Sequence, residues 1–259
     1  MDHVKIVFFD MDGTLVDPAT RLISDKTFET LRALHRRGYL VCIATGRPTA
    51  SLPDFGDLHI DAFITFNGSL CYAGNQILHS SPFSREDVKQ VLENAGTLGR
   101  PVSVATRSRL AANGIDKDLS DYYGVVNRVL TVAEDFGHAV QEDIYQIMLG
   151  AYPEEYDVIV RNTKAVKLAL SWERAVDVIP SYSGKGASIS KILDHFALDA
   201  SQAMAFGDSY NDIEMLQYVG KGIAMGNAPE AVKEIADDVC GHVSKEGIYF
   251  YCLEHGMLG

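Results

Sequence analysis

No apolar run in this chain approaches the roughly 20 residues that a membrane-spanning helix needs, and no basic stretch leading into a hydrophobic one stands at its start. The expectation is a cytoplasmic protein with no membrane partner. Cysteine is scarce: Cys42, Cys71, Cys240 and Cys252 are the four among 259 residues, and none shares a C-x-x-C spacing. An intracellular chain of this size has no need of disulfides, so buried or semi-buried thiols are the expectation. Positive charge is also short. Lys and Arg number 23 against 35 Asp and Glu, a net charge of -12 with a pI near 5.0. A nucleic-acid surface needs clustered cations, so nucleic acid is excluded as a partner. The eight histidines form no H-E-x-x-H pattern and receive no role. The single tryptophan, Trp172, reads as packing rather than as a substrate platform.

What is present is enough apolar content, 47%, to bury a full core in one large or two modest domains. The first third alternates apolar strands with amphipathic helices. Strands are expected over 5–10, 39–44 and 62–66, and a helix over 26–37 with Ser24 as N-cap and Gly38 as its stop. Residues 70–79 read as a hairpin turning at Gly74-Asn75. From about Pro82 the pattern changes to an α+β insert. It holds a helix from Ser84 to about Leu98, strands near 102–106, 144–152, 165–172 and 175–179, and a helix from Pro153 to about Asn162. Strand and helix alternation returns after Lys185, with helices over 186–196, 212–219 and 229–236 and strands over 203–207, 222–224 and near Val239. A helix over 248–253 closes the chain. Continuous apolar strands between amphipathic helices signal an α/β fold, a doubly wound Rossmann-like parallel-sheet core. The domains expected are a discontinuous core, 1–81 and 184–259, and an inserted α+β cap, 82–183.

The chemistry begins at Val4-Lys5-Ile6-Val7-Phe8-Phe9-Asp10-Met11-Asp12-Gly13-Thr14-Leu15, a strand that delivers two aspartates, at i and i+2, into a glycine turn. Buried carboxylates call for a cation or a shared proton, although Asp-x-Asp-Gly is turn chemistry in its own right. Three further segments follow: Ile43-Ala44-Thr45-Gly46-Arg47, Lys185-Gly186, and Gly207-Asp208-Ser209-Tyr210-Asn211-Asp212. Each lies at the carboxyl end of an expected strand or at a helix start, where ligands of open α/β sheets bind.

In that order the four segments resemble the four motifs of the haloacid dehalogenase superfamily of phosphatases, and the likeness continues through Ala224-Met225-Gly226-Asn227-Ala228-Pro229 and Gly247-Ile248. Its form is that of the Cof-type, type IIB branch. The resemblance implies a phosphoric monoester hydrolase in which Asp10 is the nucleophile, taking the phosphoryl group as an aspartyl-phosphate, and Asp12 is the general acid and base. It implies a metal held by Asp10, the Asp12 backbone carbonyl, Asp208 and Asp212, the last directly or through water. Thr45, Gly46, Lys185 and Asn211 would meet the phosphate, and Lys185 would also pair with Asp10. Arg47 either touches phosphate or ties aspartates structurally.

Charge arithmetic supports a cation. Three ionised aspartates and a phosphate dianion place about five negative charges in one crevice, of which Mg2+ and Lys185 would remove about three. Oxygen ligands favour Mg2+ over zinc. For Asp12 to be protonated at neutral pH, its pKa must rise from about 4 to about 6, roughly 2.7 kcal/mol of preference for the neutral form. The substrate expected is a small phosphorylated metabolite such as a sugar phosphate or pyridoxal phosphate, met by the cap through residues such as Arg107, Arg109 or Asn113. Hinges are expected near Ser81-Pro82 and Ser181 to Gly184. The competing readings are a sugar phosphomutase and a regulator that binds phospho-ligands without catalysis. A phospho-acceptor signalling domain is less compatible, because it places its aspartate after a middle strand in about half this length. Monomer and homodimer both remain open.

Overall fold

The computed structural model describes residues 3–125 and 128–258, which divide into two compact units. The first comprises Met1–Gly46, Pro53–His79 and Gly184–Gly259, and the second Arg47–Leu52 and Ser80–Ser183. The short stretch after the Thr45-Gly46 turn therefore clusters with the second unit.

The first unit is built on an eight-stranded sheet. Its strand order is 238–239, 221–224, 203–207, 6–9, 40–44, 62–65, 70–73 and 76–80. The strands from 238–239 through 62–65 are parallel, and the 70–73 strand runs antiparallel to 62–65. The Ile6–Phe9 strand sits in the middle with every residue buried. Alternation splits its side chains between the two faces. Ile6 and Phe8 join a core with Ile189, Ile192, Met215, Leu216 and Val232 from the helices Lys185–Phe196, Ile213–Tyr218 and Glu230–Ile235. On the other face Phe9 stacks on Phe206 at 5.3 Å, and Phe206 meets Tyr251 of the Gly247–Glu254 helix edge-on at 5.6 Å. The helix Asp25–Arg36 is capped by Ser24, which accepts the Thr27 N–H.

The second unit carries an antiparallel five-stranded sheet, ordered 166–172, 175–180, 144–150, 102–106 and 110–112. Ser84 caps the helix Arg85–Thr97, which buries Val88, Val91 and Ala95 in a separate apolar core with Val104, Ile147 and Val178. Trp172 stacks on Tyr122 at 5.9 Å with Arg174 over its ring at 4.4 Å, a packing role. At the base of the unit the Tyr182 hydroxyl donates to the Pro82 carbonyl at 2.9 Å, tying its two chain crossings together. One expected element is corrected. Instead of one helix over 153–162, the chain forms a 3-10 turn, Pro153–Glu155, and a single helical turn, Tyr156–Ile159. The Glu155 carboxylate accepts the Tyr152 N–H and binds Arg100 at the start of this segment, and at its end Asn162 stands at a φ of 59°, a left-handed conformation that a helix cannot continue through.

All four cysteines are buried unpaired thiols. No described helix is long and apolar enough to cross a membrane.

Candidate active site

Register brings the site together. Phe9 lies opposite both Phe206 and Ile43 in the parallel ladder, so Asp10, Asp208 and Thr45 leave neighbouring strands at nearly one level. The Asp10 N–H donates to the Phe206 carbonyl at 3.0 Å, which keeps the ladder intact up to that aspartate. Lys185 opens its helix fully buried and donates from Nζ to Asp10 Oδ1 at 2.6 Å and to Asp212 Oδ1 at 2.7 Å. The other Asp212 oxygen accepts the N–H groups of Asp208 and Ser209, both at 3.0 Å. Asp212 thus spans the turn after the 203–207 strand and the lysine beside it. One oxygen from each of Asp10, Asp208 and Asp212 lies within 4.8 Å of the others.

Gly13 makes the approach of Asp208 feasible. Its φ is +88°, and a Cβ there would lie 2.1 Å from Asp208 Oδ2. Asp12 follows Asp10 on the same turn, partly buried and bridged to Val16.

The electrostatics are those of a crowded anionic site. Burial and then the neighbouring Asp212 push Asp10 well above the carboxylate range, with Lys185 pulling the other way. The same two causes push Asp208 up to about 7, opposed by the Thr14 hydroxyl and Lys185. Burial alone would lower Lys185, but Asp10 and Asp212 outweigh it and hold the ammonium above its ordinary value. Three carboxylates facing one ammonium leave an excess of negative charge, and no imidazole or thiol belongs to the set. Hard oxygen donors in that arrangement suit a hard divalent cation, whose charge would return the raised carboxyls to their ionised forms.

Thr45 is buried, its N–H bonded to the Ile64 carbonyl at 2.8 Å and its own carbonyl accepting from the Asn67 N–H at 3.2 Å. A Cβ on Gly46 would lie 2.9 Å from Asn67 Oδ1, so glycine is needed for that packing. Asn67 is buried at a φ of 52° and accepts from Asn211 Nδ2 at 2.9 Å. Asn211 thus uses one amide N–H on Asn67. Arg47 donates to the Ser51 carbonyl at 3.3 Å, within the second unit.

Residues 7–251 match the haloacid dehalogenase-like hydrolases. The chain belongs to that family. It is 31% identical over 260 residues to YkrA of Bacillus subtilis (strain 168), provisionally named a phosphatase, with 98% of each chain covered. It is 30% identical to the HMP-PP phosphatase of Enterobacter sp. (strain 638), covering 98% of this chain and 96% of that one. Among solved structures, the subclass IIB sugar phosphatase BT4131 superposes with a TM-score of 0.90 at 29% identity, over 98% of this chain and 100% of the other. By class this haloacid dehalogenase-like hydrolase is a phosphatase, acting on phosphoric monoesters.

Two side chains of this hydrolase reach the site without having been singled out by sequence reasoning. Thr14 Oγ1 donates to Asp208 Oδ1 at 2.9 Å. Asn227 Nδ2 donates to the Gly13 carbonyl at 2.8 Å and lies 3.4 Å from Asp208 Oδ2, while its own oxygen accepts the Val243 N–H. Both stand inside segments that carry the family resemblance, and that is the one signal pointing to them. Their spacing from Asp208, 194 and 19 positions, carries no local pattern.

Proposed function

We propose that this phosphatase hydrolyses small phosphorylated metabolites by a Mg2+-dependent route through an aspartyl-phosphate on Asp10. The observation that carries the reading is the Lys185 ammonium bonded to both Asp10 and Asp212, with Asp208 in the same buried cluster. Asp10, Asp208, Asp212 and the Asp12 carbonyl would hold the metal, which supplies charge neutralisation for the phosphoryl group.

In this scheme an Asp10 carboxylate oxygen attacks phosphorus in line as the bond to the ester oxygen breaks. Asp12 gives its proton to the departing oxygen, so an alcohol leaves and the phosphoryl group remains on Asp10. Asp12, now ionised, takes a proton from water as that water attacks phosphorus. The acyl-phosphate bond then breaks, returning the Asp10 carboxylate and inorganic phosphate. Lys185 orients Asp10 and, together with the metal, would favour its ionised form, while the Thr45 hydroxyl, the Gly46 N–H and Asn211 bind the phosphoryl oxygens. The Ser80–Ser183 unit would act as the cap that meets the leaving group and sets its specificity, moving about Ser81-Pro82 and Ser181 to Gly184.

A screen of metabolite phosphates with and without Mg2+ tests the proposal. Turnover that requires the metal, falls on a few small esters and disappears in Asp10→Asn is expected. Ligand binding without turnover, or more than a few per cent of p-nitrophenyl phosphate hydrolysis left in Asp10→Asn, would overturn it.

A further inference from the structure

A second set of ligating side chains meets at the amino ends of the strands whose carboxyl ends carry Thr45 and Asn67. His35 stands in the last turn of the Asp25–Arg36 helix, and His59 and Asp61 lie in the loop that enters the Ala62–Thr65 strand. Asp61 is held rigidly. Its Oδ2 accepts the Val41 N–H at 2.8 Å, and its own N–H donates to the Val41 carbonyl at 2.9 Å. His35 Nε2 lies 3.7 Å from Asp61 Oδ2 and His59 Nε2 lies 3.4 Å from Asp61 Oδ1. The two imidazoles approach edge-on with centroids 5.3 Å apart, and one donor atom from each of the three residues lies within 4.8 Å of the others.

These separations exceed ordinary hydrogen-bond lengths. The His59–Asp61 separation equals the roughly 3.4 Å edge of a tetrahedron whose donors lie about 2.1 Å from zinc, and the His35 separation, to the other carboxylate oxygen, is slightly longer. Two imidazoles and one carboxylate form a donor set chemically distinct from the all-carboxylate cluster around Lys185. A carboxylate oriented by a backbone N–H is the outer support that metal ligands ordinarily have. The carboxyl end of the helix bearing His35 also favours positive charge.

We propose that His35, His59 and Asp61 bind a divalent transition ion of the zinc, cobalt or nickel class, with water completing its coordination. Imidazole donors select such ions over Mg2+. The site lies away from the carboxylate cluster, so its role is to clamp the Asp25–Arg36 helix to the loop before the 62–65 strand. Binding only to the folded state then raises thermal stability. The inference does not depend on the proposed reaction.

The test uses full-length protein stripped of metal and then saturated with Mg2+. It is titrated with Co2+ by visible absorption and with Zn2+ by calorimetry and thermal melting. Wild type and Asp10→Asn should each bind one equivalent of Co2+ with an absorption band of low-symmetry coordination. His59→Ala and His35→Ala should bind it at least tenfold more weakly. Zn2+ should raise the melting temperature of wild type by a few degrees and leave that of His59→Ala unchanged. The His59 side chain is 67% exposed, so its removal spares the fold. Equal Co2+ stoichiometry and affinity in wild type and both histidine variants would overturn the assignment. So would loss of the equivalent in Asp10→Asn, which would place the ion among the carboxylates.

Discussion

The two units use charge in opposite ways. In the second, Arg100 is bonded to Asp116, Asp118 and Glu155, and Arg174 to Asp118 and Asp121, with water still reaching every partner. Burial alone would raise Glu155, yet the Arg100 guanidinium and the Tyr152 N–H hold its carboxyl below the usual range. In the first unit, Lys185 and Asp212 are wholly buried, and Asp208 is pushed up to about 7. Both regions hold more acids than bases, but only in the second does solvent reach every acid. An excess of buried negative charge costs stability. Under the proposed function, the excess retained at the ends of the central strands would be offset by a charged ligand.

The sharpest way to break this contrast is Asp10→Asn. Turnover of p-nitrophenyl phosphate should fall to below about one-thousandth of wild type, as expected for loss of a nucleophile. Its melting temperature should hold or rise, because a buried charge is removed. Steady-state kinetics beside circular dichroism check both halves. Next in size is Lys185→Met, which leaves Asp10 and Asp212 without their shared cation. It should cost about 3–5 kcal/mol in urea unfolding, and Asp10→Asn in the same chain should recover part of that loss.

A smaller effect lies in pH. The folded pKa of Asp208 is raised to about 7, above the ordinary carboxyl value, so the folded chain holds this proton more tightly than the unfolded chain. The sign follows: the contribution is fully present below about pH 4 and is lost as pH rises toward 7. In chelator-treated protein, wild type should lose stability relative to Asp208→Asn across that window, and saturating Mg2+ should flatten the difference. Thermal melts at several pH values measure it. Smallest of all, Lys117→Ala removes an exposed pair with Asp121 in the second unit and should move the melting temperature by no more than about 2 °C. A shift as large as that of Lys185→Met would end the contrast.

Much of the core was legible because its signals are local. Ser24 and Ser84 cap their helices as their sequence context predicts, and the 70–80 hairpin turns at Gly74, where φ is +52°. Less legible was the chain between Arg107 and Asp143, where the short strand Leu110–Ala112 and the helix Lys117–Val125 carry weak periodicity. The two-residue strands Val16–Asp17 and Leu22–Ile23 fall below the length at which alternation can be seen. Not legible was the choice of Asn67 as the partner of Asn211. That choice depends on a left-handed turn after the 62–65 strand, which no i, i+4 pattern announces.

By itself the sequence determined the alternation of strand and helix, the change of pattern near Pro82, and the identity of the carboxylates at the strand ends. Those follow from periodicity and from residue types that are costly to bury without a purpose. Only the tertiary structure decided that Lys185 bridges Asp10 and Asp212, that Thr14 and Asn227 reach Asp208, and that His35, His59 and Asp61 converge at the amino ends of strands in the same sheet. Each of those meetings depends on strand order and register, which bring together residues with no spacing in common along the chain.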